Sequence, residues 1–484
     1  MHDTFDTKRK TQYLTDLIIR DGIVATMDEQ RRVIEDGAVA VDGTDIVAVG
    51  KTDDVISAYD TDRIIDASGH LVIPGLINTH VHVPDILYRG RGKGRGLHDW
   101  LFNVKHPFVA AMDADDHAVA AELYCRETLR AGVTTFVENA GGLGNGYDAE
   151  TVRQKLSVYD TAGIRNIYAH GFLDQGGEAA FQSYIETLRR KEPGVVHAND
   201  TPMETEEALE TVEGLIEQYH GTAGGRQSVW PGPFLAWGVS PEGLAGAYEL
   251  AEKHDVMTTT HTSESPVQER NLASSVEYLE SAGYLGDRTL LGHCVQVSKA
   301  DIRRLAATDT KVAHNVATNC SIASGVAPVS AMQAAGVTVG LGTDNIAHND
   351  TANLIADMRI AALVHKVENR DPGLMPAERV FAMSTIDAAR AIGREDSLGS
   401  LEPGKLADIV MLDIDYPHLS PYTDVASLLV YQAMGTEVST VLCNGDVVVE
   451  DGECRGLGDR FDPVSIQERS QSLVERAGLD RLQT

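Results

Sequence analysis

The sequence predicts an α/β protein: a (β/α)8 TIM-type barrel accompanied by a smaller, β-sandwich-like domain assembled from both chain ends. Three observations carry this expectation. Through the middle of the chain, short apolar runs such as Leu71-Val72-Ile73 and Val337-Thr338-Val339 alternate with stretches of helical length, as parallel strands with covering helices do. Both ends are rich in β-branched residues broken by Asx-Gly pairs. The 484 residues, 43% of them hydrophobic, exceed one minimal domain, and a barrel commonly takes about 250 residues as one unit.

Near the start, Leu17-Ile18-Ile19 and Ile23-Val24-Ala25 flank Asp21-Gly22, and the 38–41 and 46–49 runs flank Asp42-Gly43. Near the end, the 438–443 and 447–449 runs flank Asn444-Gly445. Asx-Gly supplies the positive φ that a tight hairpin needs, so three hairpins are expected. The small domain is placed at residues 1–70 (strands from residue 12) and 404–456, with the barrel at 71–403. Within the barrel, 113–130 reads as a helix with an acidic first turn, and Ser298-Lys299-Ala300-Asp301 as a capping box. The fourth barrel strand is expected over 230–239. A helical extension, 457–484, begins in earnest at Asp462-Pro463, an N-cap followed by Pro in the first turn.

Charge narrows the partners. With 41 basic and 72 acidic residues the formal net charge is −31, which excludes general nucleic-acid binding, since that requires neutralised phosphates. The 12 Lys against 29 Arg, amid abundant acid, suggest a salt-loving source whose stability rises with molar KCl. The Arg89-Gly90-Arg91-Gly92-Lys93-Gly94-Arg95-Gly96 tract therefore reads as a flexible loop beside the active site. It matches neither G-x-G-x-x-G nor a P-loop. No apolar run approaches 18 residues and Met1 to Asp6 form no signal-peptide core, so a cytoplasmic protein without membrane contacts is expected. Five scattered cysteines (Cys125, Cys294, Cys320, Cys443, Cys454) form no C-x-x-C pair and read mostly as buried small residues.

The chemistry sits at strand ends. His80 and His82 close the run that begins at Leu71, and residues i and i+2 of a strand face one side, so both can approach one metal. His261, His293, His314 and Asp344 each terminate a later strand-like run. In a parallel barrel these ends form the catalytic face. Three imidazoles and a carboxylate (His80, His82, His261, Asp344) suit Zn²⁺, with Fe²⁺ as the second choice, and leave a position for water, whose pKa such an ion lowers toward ~7. Hydrolysis of an amino-substituted heterocycle also needs proton transfer to ring and leaving group, for which Glu264, three residues past His261, is placed. His293 could hold the attacking hydroxide and Asp344 accept its proton.

The Pro74-to-His82 segment, His261-x-x-Glu264, Gly340-Leu341-Gly342-Thr343-Asp344 and the Gly399-to-Asp408 segment together resemble the amidohydrolase superfamily, in its branch of triazine hydrolases and nucleoside or nucleobase deaminases. Asp99-Trp100-Leu101-Phe102-Asn103-Val104, Glu138-Asn139-Ala140 and Val229-Trp230-Pro231 are similar to its triazine-dechlorinating and melamine-deaminating members. The resemblance spans nearly the whole chain. It implies the ligand set above, the acid/base role of Glu264, and a sixth-strand role for His293. Because no Lys occurs between Lys191 and Lys253, where two-metal relatives carry a bridging lysine, it implies one divalent metal per subunit. It also implies a homodimer or larger assembly.

Expected substrate contacts are Trp100, as a stacking wall, with Leu97, Asp85, His314, Asn345 and His348. Leu97 matches the deaminating form; Asn345 matches the dechlorinating one; His314 matches the wider deaminase branch. Asp85 and His348 match neither triazine enzyme. The function expected is metal-dependent release of ammonia from a planar amino-substituted N-heterocycle (purine, pyrimidine, nucleoside or aminotriazine). The alternative is displacement of halide from an s-triazine at the same site.

Overall fold

The structure, a computed structural model, describes residues 12–141, 146–174, 202–266, 274–458 and 461–479, and all of Phe102 except its side chain. The first residues, read above for a signal segment, and the end of the 457–484 extension lie outside the described residues.

The N-terminal segment forms seven strands: β1 (Tyr13–Leu14), β2 (Leu17–Ala25), β3 (Val33–Asp42), β4 (Asp45–Lys51), β5 (Tyr59–Asp60), β6 (Ile64–Asp66) and β7 (His70–Pro74). Nine more run through the middle: β8 (Leu76–His82), β9 (Val133–Ala140), β10 (Arg165–Phe172), β11 (Gln227–Pro233), β12 (Thr258–Thr262), β13 (Thr289–His293), β14 (Lys311–His314), β15 (Val339–Leu341) and β16 (Asp344–Asn345). Four close the chain: β17 (Ile409–Asp413), β18 (Val438–Cys443), β19 (Asp446–Glu450) and β20 (Glu453–Cys454).

The middle strands make two parallel sheets, in the orders β11-β10-β9-β8-β16 and β12-β13-β14-β15. Residues of β8, β9, β10 and β11 are buried on both faces, which explains why these strands lack polar alternation. The sheets adjoin at two places. A parallel bridge joins Leu235 to His261, and β15 is separated from β16 by only Gly342-Thr343. Helices lie between successive strands, as expected from the alternation. Ala114–Arg130 starts at the N-cap Asp113 and Lys299–Ala307 at Ser298, each with a reciprocal capping box that satisfies first-turn amides.

Both ends of the chain meet in one nine-stranded sheet, where β7 pairs antiparallel with β17 and in parallel with β2. Residues from both ends, among them Ile19, Val39, Val72, Ile409 and Leu442, pack into a second core. Two of the three expected hairpins are present, β3–β4 and β18–β19. The first is not: 17–25 is one strand. Both of its halves pair with the same long β3, Leu17 opposite Val41 and Val24 opposite Ile34, and the register shifts at Gly22. The positive φ of Asp21 (64°) therefore makes a bulge instead of a turn.

The fourth parallel strand also differs from expectation, ending at Pro233 where 230–239 was anticipated. Pro231 and Pro233 have no amide hydrogen to continue a ladder, so the chain leaves the sheet and makes a short helical turn at Ala236–Gly238. The C-terminal helix, Pro463–Arg476, starts at its Asp462 cap as expected. Arg469 and Arg476 each bond the buried Asp116 at 2.6 Å, and Ser470 donates to the carbonyl of Leu87 at 2.6 Å. These contacts tie the extension to the helix and loop beside β8. Four cysteines are buried and Cys320 is exposed.

Candidate metal centre

Period-two geometry brings His80 and His82, at the end of β8, to His261 of β12 and Asp344 of β16. Asp344 follows a strand break and has φ 55°, so its carboxylate turns back toward β8. Gly342 permits the approach: a Cβ there would lie 2.4 Å from Asn315 Oδ1 and 2.8 Å from His80 Cβ. His82 Nδ1 is 2.8 Å from the carbonyl of Asn139, and His261 Nδ1 is 2.6 Å from that of Phe234. A carbonyl can only accept, so both Nδ1 atoms carry hydrogen and both Nε2 atoms present lone pairs. Those two Nε2 atoms are 3.1 Å apart. Asp344 Oδ1 stands 3.4 Å from His80 Nε2 and 3.5 Å from His82 Nε2.

These separations decide what fits. A tetrahedral ion with bonds of about 2.05 Å spaces its ligands about 3.3 Å apart. Among the described residues His80 Nε2 is buried without a hydrogen-bond partner, as a nitrogen reserved for a cation would be. Burial lowers the pKa of His82 and His261 well below the usual imidazole value, leaving the neutral form that binds metal. Ring nitrogens of His80, His261 and His293 form one group of possible ligands within 4.8 Å of one another, and His80, His82 and Asp344 another.

Glu264, Asp344 and His293 make a third such group. Glu264 follows β12, with Oε1 3.8 Å from His293 Nδ1. Burial and then the Asp344 charge raise its pKa well above the usual carboxyl range, which favours its acid form, against the Lys105 charge that lowers it. Burial pushes Asp344 upward as well. The His80 ring 3.4 Å away and the other nearby imidazoles outweigh it, holding that carboxyl well below its usual value. Burial drives His293 down to about 4, and Asn319 Nδ2 contacts its Nδ1 at 3.1 Å. One carboxyl protonated beside one ionised is an acid/base division of labour.

A cleft of about 670 Å³, counting its open mouth, leads to this cluster. Of the expected substrate contacts, Leu97, Trp100, Asn345 and His348 line it. Asp85 and His314 do not. Asp85 accepts a hydrogen bond from the Tyr88 hydroxyl and faces Lys105, whereas His314 is spent on His365, Nε2 to Nε2 at 3.0 Å. Sequence reasoning missed Lys105, Phe234 and Trp237 in the lining, and Asn139 and Asn319 behind the histidines. Asn139 and Lys105 fall in or beside motifs already recognised; the other three carry no local signal.

The Arg-Gly tract does lie beside the site. Gly92 touches the His348 ring, and Lys93 donates to the His348 carbonyl at 2.6 Å. A Cβ at Gly92 would sit 2.6 Å from His348 Cε1. Gly92→Ala is expected to displace that ring and lower kcat/KM about tenfold, as small misplacements in a cleft do; steady-state kinetics with metal content unchanged would show it.

Residues 71–448 match the model of the amidohydrolase family. The chain belongs to the amidohydrolase family. It is 36% identical to a 5'-deoxyadenosine deaminase of Methanothermobacter thermautotrophicus, over 88% of this chain and 92% of the relative. It is 33% identical to an S-triazine hydrolase of Gordonia rubripertincta, over 97% and 99%. A crystal structure of an adenosine deaminase from Xanthomonas campestris with bound zinc superposes with a TM-score of 0.83 at 25% identity, covering 97% of this chain and all of that one. This amidohydrolase therefore has a TIM-barrel-type α/β fold and is a metal-dependent hydrolase acting on C–N bonds.

Proposed function

We propose that this amidohydrolase removes the exocyclic amino group of an adenine nucleoside, with His80, His82, His261 and Asp344 holding one Zn²⁺. The position of Glu264, in the cleft and grouped with His293 and Asp344, carries the reading. Ammonia leaves an aromatic carbon only after its nitrogen is protonated, and a buried, proton-bearing carboxyl beside the ligand cluster supplies that proton. The cation supplies the Lewis acidity that makes hydroxide available at neutral pH. Glu264 would give its proton to the ring nitrogen next to the attacked carbon, then take the proton of the added hydroxyl and pass it to the departing amine, and the proton Asp344 takes from water returns Glu264 to its acid form. Asp344, ionised, takes the proton of the attacking water. His293, neutral and held by Asn319, orients that water. Water and the amino compound thus become the oxo-heterocycle and ammonia. Names of relatives favour adenosine-type substrates, and Trp100 and Phe234 offer flat walls for a purine.

Halide displacement from a triazine is the second reading. The likeness to a solved structure of an atrazine chlorohydrolase (TM-score 0.81, 27% identity) and Asn345 after Asp344 favour it. The test is a screen of adenosine, 5'-deoxyadenosine, guanine, cytosine, melamine and a chlorotriazine for ammonia or chloride release, with Zn²⁺ or Fe²⁺. Chloride release without ammonia from any adenine nucleoside would select the second reading.

The same proposal covers the architecture. The eight strands from β8 to β15, with β16 continuing β15 onto β8, would close a (β/α)8 barrel, and the terminal sheet curling over its own core would form the small β-sandwich-like domain. It places the enzyme in the cytoplasm as a homo-oligomer. Among the described residues no helix is long and apolar enough to cross a membrane. The −31 charge supports a salt-loving source. The thermal midpoint should then rise several degrees between dilute buffer and molar KCl, and an unchanged midpoint would exclude this.

A further inference from the structure

One buried cation in the cleft has no part in the chemistry above. Lys105, in the helical turn Leu101–Lys105, is only 3% exposed and lines the cleft. Among the described residues its ammonium has one ion-pair partner, Asp85 Oδ2, at 3.5 Å, long beside the 2.7–2.9 Å typical of a charge-assisted hydrogen bond. Asp85 is itself fixed from behind by the Tyr88 hydroxyl. The ammonium also lies 5.2 Å from the centre of the Trp100 ring, a cation–π distance that steers it without using up its hydrogens. An ammonium has three N–H groups. Lys105 is thus held in place yet keeps donors to spend.

Its neighbours are in the same condition. Among the described residues Trp100 Nε1 is buried with no hydrogen-bond partner, and so are both ring nitrogens of His348. The two rings meet edge-on, 4.7 Å between centres. Much of the remaining wall is apolar: Leu97, Leu101, Phe234, Trp237 and Ile322. One side of an otherwise greasy cleft therefore offers a cluster of unsatisfied polar atoms. A ligand with an alkyl group there would leave the ammonium dehydrated, whereas one with oxygen acceptors would replace its lost water.

We propose that Lys105, with Trp100 and His348 beside it, binds an oxygen acceptor on the part of the substrate remote from the amino group, a sugar hydroxyl, and so selects hydroxylated heterocycles over alkylated ones. Asp85 acts through Lys105 as a positioning residue. This rests on the adenine nucleoside reading. It adds a specificity determinant outside the ligand and proton-transfer residues.

The test compares ammonia release from adenosine and from 9-ethyladenine by the metal-loaded wild type, Lys105→Met and Lys105→Gln, with metal content and circular dichroism as controls. The wild type should prefer adenosine in kcat/KM by about 30-fold or more, the scale of one hydrogen bond to a charged group. Lys105→Met should remove about tenfold or more of that preference, through KM for adenosine with kcat within about threefold, and leave 9-ethyladenine nearly unchanged. Lys105→Gln, which keeps a neutral donor, should fall between, and it decides the matter should the Met variant fold poorly. An equal loss on both substrates, or a loss confined to kcat, would overturn the inference and leave the proposed function standing. A wild type that deaminates neither compound would overturn both.

Discussion

Glu264→Gln is expected to lower ammonia release about 10³-fold or more, the upper part of the range for a positioned general acid–base group, while the protein keeps its fold and its metal. The substitution is nearly isosteric, so the cleft should keep its shape. What disappears is the transferable proton, because an amide cannot shuttle between ring nitrogen and leaving amine. In this site the loss has no substitute. Burial lowers the pKa of His293 and the imidazole neighbours lower that of Asp344, so neither starts the reaction with an acidic proton for the ring nitrogen. The same variant discriminates between the two reactions, since chloride leaves as an anion and needs no proton. A variant that still released ammonia within tenfold of wild type would remove Glu264 from the mechanism. One that lost ammonia release but kept chloride release would place both reactions in one cleft with different proton demands.

Stripping the divalent ion is expected to reduce turnover below detection and to lower the thermal midpoint. Adding back Zn²⁺ should restore both, with Fe²⁺ as the comparison. The physical reason lies in how the ligand atoms face one another. Two imidazole lone pairs stand 3.1 Å apart, and the ionised Asp344 is buried beside them. Without a cation the folded protein must keep these atoms together against their mutual repulsion and dehydration. An ion that binds only the folded arrangement adds stability by mass action. Metal analysis, calorimetry and activity on one preparation test this together. His261→Ala should give the same loss without chelator, because it deletes a ligand and its anchor to the Phe234 carbonyl. Full activity in a preparation with less than about a tenth of a metal per chain would overturn the metal role.

Much of this site is legible in the chain because its ligands sit at strand ends with local signatures. His80 and His82 declare a shared face by their spacing alone. His261 and Glu264 are three residues apart, and Asp344 ends a Gly-rich run. Composition, capping boxes and Asx-Gly pairs likewise announce helices and hairpins, since those depend on a few neighbouring residues. The departures share a cause. Asp21-Gly22 has the local chemistry of a turn, yet the long β3, brought alongside by the fold, keeps both halves in one strand and turns the pair into a bulge. Asp85 and His314 sit near the motifs but lie outside the cleft lining, Asp85 bonded to Tyr88 and facing Lys105, and His314 Nε2 against His365.

The sequence by itself determined the α/β class, the candidate ligand residue types, the proposed proton carrier and a strongly acidic character. These follow from backbone periodicity, side-chain chemistry and charge, all properties of residues taken singly or a few apart. Only the tertiary structure decided which atoms meet. Candidate ligand spacing near a tetrahedral edge, the carbonyls that set two imidazole tautomers, and the opposite pKa shifts of Glu264 and Asp344 all arise between segments far apart in the chain. So does the ammonium of Lys105 over Trp100. Such properties depend on distance and dehydration, and folding sets both by removing water and bringing separate strand ends to one face.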